Sequence, residues 1–305
     1  MFREIRIVAI TLLVAGLPAV LAIQLLASRP FNHSQQSRDA GFQRQAGQRR
    51  SGGRGGGGGR ETREIDRSQY PQWEINHDFS RDVFTFARVQ YDGRGRTGDA
   101  RWNNDYPDAD LNFSYRLQQL TSMQVDPDGV IVRLDDPQLF EFPFAFMIGV
   151  TGVNFSDSEI TGLRAYLLSG GFLMVDDFWT GAEWRHIEAQ MKRVFPELTA
   201  SELPPTHPIF HLVYELKGVV QCPSIRAWQQ GYTFEYWHGD PEGDEAPHFM
   251  GYHDGNGRLM AVFCMNNDIC DGWEREGENH EFFELFSERV SYPLGINIVM
   301  YALTH

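Results

Sequence analysis

Cysteine is scarce in this chain: Cys222, Cys264 and Cys270 are the only three among 305 residues. So few thiols exclude a disulfide-framework miniprotein. No Gly-x-Ser-x-Gly or Gly-x-Cys-x-Gly surrounds a nucleophile, which removes the usual serine and thiol elbows. A P-loop is also missing, and the one glycine-rich run, residues 52–59, follows no strand pattern. Positive charge is depleted from most of the chain. Residues 1–64 hold ten arginines against Glu4, Asp39, Glu61 and Glu64, whereas the remainder carries 17 basic against 37 acidic residues. A field of that sign repels phosphate backbones, so nucleic acid is excluded as a partner of the globular part. Long apolar runs are lacking beyond one at the N-terminus, which excludes a multi-pass membrane protein. No repeat of 20–50 residues is visible.

What is present divides into an address, a tether and a domain. Arg3 and Arg6 head a mostly apolar run that reaches Ala27, the pattern of a secretory signal. Val20-Leu21-Ala22 and Leu25-Leu26-Ala27 are candidate cleavage sites, and the run is also long enough to span a hydrocarbon core of roughly 30 Å. Residues 1–27 are therefore expected to be a signal peptide or a membrane anchor. Residues 28–64 are rich in Gly, Arg, Gln and Ser, too poor in apolar surface to offset the entropy of ordering, and are expected to be a disordered linker. The expected location is periplasmic or otherwise extracytoplasmic, either secreted or held at the membrane by an uncleaved N-terminal segment. The folded domain is expected to occupy 65–305; hydrophobic residues at 42% of the chain give it enough material for a core.

Within that domain the periodicities alternate between two and 3.6. Residues 83–91 (VFTFARVQY) read as a first strand, 111–123 as an amphipathic helix, 130–132 as a short strand and 142–150 as a strand buried on both faces. Ser156-Asp157-Ser158-Glu159 is a capping box that opens a helix, Gly170-Gly171 stops it, and 172–175 is the next strand. Strand, helix and strand within about 35 residues make a βαβ crossover and hence a parallel sheet. A further helix is expected over 183–195, ending at Pro196. Asp254-Gly255-Asn256-Gly257 between apolar runs marks a hairpin near the C-terminus, and 294–303 reads as a buried helix. The stretch 216–247 gives no clear element.

Parallel strands deliver their trailing residues to one rim. That rule predicts a polar-ligand site lined by Tyr91, Thr151, Gly152, Asp176, Asp177, Trp179, His207, Asn266, Asn267 and Asp268. Asp176-Asp177 is the sharpest feature. Adjacent carboxylates after an apolar strand repel each other, so one must be protonated, hydrogen-bonded or bound to a cation, and both are candidate general acids or bases. His207 and His211 sit four apart, but Pro208 disturbs the spacing and no third-ligand motif follows. The loop from Asn266 to Glu274 lacks EF-hand spacing. No metal site or cofactor is expected from these motifs. Cys222 and Cys270 have a pairing open to them in an oxidising compartment, and Cys264 reads as a small core residue.

The segments Ser156-Asp157-Ser158-Glu159, residues 166–173 (YLLSGGFL), Asp176-Asp177-Phe178, Phe195-Pro196, His207-Pro208-Ile209-Phe210, Asn266-Asn267-Asp268 with Gly272-Trp273-Glu274, and residues 294–303 together resemble the bacterial DUF4159 family. The likeness covers most of 83–305. It implies a three-layer α/β fold of the flavodoxin or class I glutamine amidotransferase kind, a mainly parallel sheet with a C-terminal hairpin, and cell-envelope company, but no activity. Amidotransferases need a cysteine on a tight turn after a strand, and here that turn offers Asp176 and Asp177. Two functions are therefore weighed. The leading one is an exported, non-enzymatic binding domain that holds a polar ligand, a glycan or a protein of an envelope complex without thiol catalysis. The alternative is a carboxylate-dependent, metal-assisted hydrolase.

Overall fold

The computed structural model describes residues 67–76, 82–93, 101–218 and 221–305. The expected signal or anchor and the linker lie outside the described residues. Among those described, no helix is long and apolar enough to cross a membrane.

The strands are β1 (Val83–Phe84), β2 (Ala87–Val89), β3 (Gln124–Val125), β4 (Val130–Val132), β5 (Phe144–Ile148), β6 (Phe172–Phe178), β7 (Ser201–Glu202), β8 (His248–His253) and β9 (Leu259–Met265). Seven of them form one sheet in the order β4-β2-β5-β6-β9-β8-β7. The first five are mutually parallel, β8 runs against β9, and β7 runs against β8. Every residue of β5 is buried, as a strand covered on both faces requires. Its alternation divides the interior. Phe144, Phe146 and Ile148 enter one core, and Ala145 and Met147 enter the other.

Helices α1 (Asp108–Leu120), α2 (Asp157–Leu168) and α3 (Thr180–Val194) are followed by the short α4 (Ile225–Gln229), α5 (Asp271–Glu274) and α6 (His280–Phe282). A π-helical segment, Phe283–Ser291, then leads into α7 (Tyr292–Thr304). Residues of α1 and α7 build the core on one face of the sheet, and α2 and α3 build the core on the other. The result is a three-layer α/β domain with a mainly parallel central sheet.

Local sequence explains the central crossover β5-α2-β6. The Ser156 hydroxyl accepts the Glu159 N–H at 3.2 Å while the Glu159 carboxylate accepts the Ser156 N–H at 2.9 Å. The helix stops at Gly170, whose φ of +112° a side chain resists. The hairpin turns where Asp254 Oδ1 accepts the N–H groups of Asn256 and Arg258. The stretch 216–247 supplies α4 and a 3-10 turn, Tyr236–His238.

One expected element is corrected. The run 83–91 is not a single strand. β1 pairs with β3 in a separate two-stranded sheet, and β2 pairs with β4 in the main one. The partner run is interrupted between β3 and β4 by a turn in which Asp126 Oδ1 accepts the Asp128 N–H and Gly129 takes φ +66°. The ladder therefore breaks although the side-chain alternation continues. Two helices also begin earlier than periodicity indicated, at Asp108 and Thr180. All three cysteines are free and buried, so Cys222 and Cys270 are not paired.

Candidate functional site

The C-terminal ends of β2, β5, β6 and β9 reach one edge of the sheet. On β6, Val175 faces Phe263 and Phe178 faces Met265, so three steps along β6 match two along β9. The extra residue is a β-bulge carrying Asp176 and Asp177, with Asp177 at φ +51°. A regular strand would send neighbouring side chains to opposite faces; a bulge re-aims one of them.

Asp176 is fully buried. Its Oδ2 accepts the Cys270 N–H at 2.8 Å, while Oδ1 has no hydrogen-bond partner among the described residues. Burial raises its pKa to about 7 in spite of the Cys270 N–H. Asp177 is pushed well above the ordinary carboxylate range by burial and by the charge of Glu235. Its Oδ1 accepts the Trp179 indole N–H at 3.3 Å.

Around this diacid the chain gathers Asp105, Asp268, Cys270, Asp271 and Glu274. The Cys270 sulfur lies 3.3 Å from both Asp105 Oδ2 and Asp268 Oδ1, so its single proton is shared between them. Burial, then Asp268 and Asp176, raise that thiol well above its usual value. It is held protonated and is no nucleophile. Asp271 accepts the Ile225 N–H at 2.6 Å and pairs with Arg275 at 3.1 Å, and Arg275 also lies 2.6 Å from Glu274. Burial, followed by the charge of Asp105, lifts Glu274 to about 9.

Arg88 organises the far side. It is fully buried on β2, its Nε bonds both oxygens of Asp110 at 2.9 and 2.8 Å, and its Nη1 donates to the carbonyls of Trp102 at 2.9 Å and Asn104 at 3.1 Å. This single side chain thus ties α1 and the turn carrying Asp105 to the sheet.

A second group stands beside Asp177. His238 Nδ1 lies 2.9 Å from Glu183 Oε1, and its Nε2 lies 3.5 Å from Glu235 Oε2. Burial depresses the imidazole, but Glu183, Glu235 and Asp177 outweigh it and raise the pKa to about 10. Glu183 is fixed from behind by the Thr151 hydroxyl at 2.6 Å and the Trp179 N–H at 2.7 Å. Glu235 Oε1 accepts the Ser224 N–H at 3.0 Å. Among the described residues, three sets of side chains offer ligand atoms within 4.8 Å of one another: Asp105, Asp268 and Cys270; Asp105, Asp271 and Glu274; and Asp177, Glu235 and His238.

The structure brings Asp176, Asp177, Trp179, Asp268 and Thr151 to this rim. Tyr91 is there too, its hydroxyl donating to the Ile148 carbonyl at 2.8 Å, and burial followed by the charge of Asp177 keeps the phenol protonated. Gly152 follows β5 with φ +85°. Asn266 and Asn267 follow β9, but their side chains serve the backbone. Asn266 Oδ1 accepts the Thr180 N–H and its Nδ2 donates to Ala246, while Asn267 Oδ1 accepts the Cys222 N–H.

His207 does not join. It caps a 3-10 turn by accepting the Ile209 N–H, with its ring 6.2 Å from that of His253 and 5.5 Å from that of Tyr301. His253 ends β8, the antiparallel strand, so the group lies at the opposite edge of the sheet. Sequence reasoning missed Arg88, Asp105, Glu183, Glu235 and His238. The signal for Arg88 was an arginine inside an apolar strand, which demands a buried partner. Glu235 and His238 come from irregular chain that carries no periodic signature.

Fold and rim together define an α/β domain whose parallel strands present a carboxylate-rich, thiol-poor site at their C-terminal edge. The chain belongs to the DUF4159 family, described as a domain of unknown function, which matches residues 85–303. Among curated proteins none matches it.

Proposed function

We propose that the chain is an exported binding domain whose strand-end rim holds a positively charged polar ligand, without thiol catalysis. The observation that carries this reading is the unpartnered Oδ1 of fully buried Asp176, set among Asp105, Asp177 and Asp268. The cations beside these acids are already matched: Arg88 by Asp110, Arg275 by Asp271 and Glu274, His238 by Glu183 and Glu235. A buried carboxylate without a counter-charge is held neutral or waits for a cation. Tyr232, Tyr236 and Trp237 are exposed on the segment that carries Glu235 and His238. They offer aromatic faces on which a glycan ring or a partner side chain stacks. The N-terminal apolar run supplies the export element of the proposal.

The test is thermal unfolding of the full chain with Ca²⁺, Mg²⁺ and spermidine as probes. A ligand at a hundred times its Kd stabilises the folded state by about 2.7 kcal/mol. At least one probe should raise the unfolding midpoint of the native protein, and Asp176→Asn should abolish most of that rise. Equal behaviour of the two proteins with every probe removes the rim from the account. N-terminal sequencing of material recovered from the cell envelope tests export and reads cleaved against anchored forms.

The hydrolase reading keeps one specific support, the proximity of Asp177, Glu235 and His238, where a bound metal would activate water.

A further inference from the structure

Of the three sets of ligand atoms, two are committed elsewhere. In the first, the Cys270 thiol is spent on both Asp105 and Asp268. In the second, Asp271 and Glu274 are paired with Arg275, whose charge opposes a metal ion. The third differs. Asp177 is 7% exposed and, among the described residues, receives only the Trp179 N–H on Oδ1, leaving Oδ2 without a partner. The separation of His238 Nε2 and Glu235 Oε2, 3.5 Å, is long for a hydrogen bond. Two ligands of one tetrahedral ion with bonds of about 2.1 Å would stand about 3.4 Å apart. The other imidazole nitrogen meets Glu183 at 2.9 Å, and Glu183 is itself gripped by Thr151 and Trp179. A metal-binding histidine needs that arrangement, a carboxylate behind the ring that fixes its tautomer and orientation.

We propose that Asp177, Glu235 and His238 form a site for a divalent first-row metal of zinc or cobalt chemistry, with Glu183 as the positioning residue behind the imidazole. The proposal rests on the cation-holding reading above and names the ion and its ligands. Two carboxylates balance the dication, and one imidazole selects it over the hard cations, which prefer all-oxygen sites. Three protein ligands leave a position for water or a ligand group.

The test is calorimetric titration of the metal-stripped full chain with Zn²⁺, together with the visible spectrum after Co²⁺ loading. His238→Gln should weaken Zn²⁺ binding by more than about 100-fold and Glu183→Gln by about 10- to 100-fold. His207→Asn, at the opposite edge of the sheet, should leave it unchanged. The Co²⁺ protein should show ligand-field bands of low-coordinate intensity without a thiolate charge-transfer band. Folding of each variant is verified by circular dichroism, and the Co²⁺ spectrum of the native protein stands even where a variant does not fold. Zn²⁺ binding that survives His238→Gln, or a thiolate band, overturns the assignment, as does a native protein that takes up neither ion. Asp176-dependent Ca²⁺ or spermidine binding would still stand in those cases. His238-dependent Zn²⁺ binding beside Ca²⁺, Mg²⁺ and spermidine responses that Asp176→Asn leaves unchanged would keep the metal assignment and sink only its broader frame.

Discussion

Arg88 is the residue on which the geometry of the rim most depends, because it is charged, fully buried and shared between two pieces of chain. Removing one partner of a buried ion pair leaves the other uncompensated, at a cost of about 3–5 kcal/mol. Arg88→Leu strands Asp110 and frees the carbonyls of Trp102 and Asn104, which position Asp105. It is expected to lower unfolding free energy by that amount, measured by urea titration. Arg88→Lys should recover little of it, since an ammonium cannot bond both Asp110 oxygens and two carbonyls with one planar fork. Recovery to near-native stability by the lysine variant would show that charge alone, and not the fork, holds the turn.

Elements of this fold differ in how far their neighbours in sequence determine them. The capping box at Ser156, the stop at Gly170 and the Asp254 hairpin turn are local hydrogen-bonding devices, and each was legible without coordinates. Asp176 and Asp177 were legible because they follow the apolar run 172–175, although β6 continues through them to Phe178. Glu235 and His238 were not, since a 3-10 turn in an irregular loop has no period to detect and only the tertiary fold brings it to β6. The bulge escaped notice for a related reason: it is a mismatch between two strands 80-odd residues apart, invisible in either alone. Helix α2 provides a test of local against tertiary preference. Gly162→Ala gains about 1 kcal/mol of helix propensity. A Cβ there would stand 2.1 Å from the Leu134 carbonyl oxygen, a backbone atom with no rotamer to yield. Overpacking costs about 1–3 kcal/mol, so the variant should be net destabilised, by roughly the 1 kcal/mol that Ser156→Ala loses through its cap. A stabilised Gly162→Ala protein, read by the same urea titration, would mean that α2 slides away from residue 134.

At the scale of the whole molecule the sheet has two chemically opposite edges, and they respond to pH with opposite sign. At the C-terminal edge Asp176 has a folded pKa of about 7 against an ordinary 3.8. The folded state holds that proton more tightly, so its contribution to stability is complete below about 3.8 and is lost as pH rises through 7. For a fully buried group this amounts to something on the order of 4 kcal/mol. At the other edge His207 is pulled down to about 4 by burial and by His253 and His305. The unfolded chain takes that proton more readily, so stability is complete above about 6.5 and is lost as pH falls through 4. His207 is half-buried, and solvent screening reduces the effect to the order of 1 kcal/mol. Unfolding free energies of the metal-free protein across pH 4–8 should therefore separate the edges. Asp176→Asn flattens the decline toward neutral pH, and His207→Asn flattens the smaller decline toward acid. A ligand cation should act on the first edge alone, since it takes the place of the proton on Asp176 and leaves the histidines 207, 253 and 305 untouched. If Asp176→Asn left the neutral-side slope unchanged, the carboxylate would be ionised and balanced in the folded state, and the rim would have no charge for a cation to neutralise.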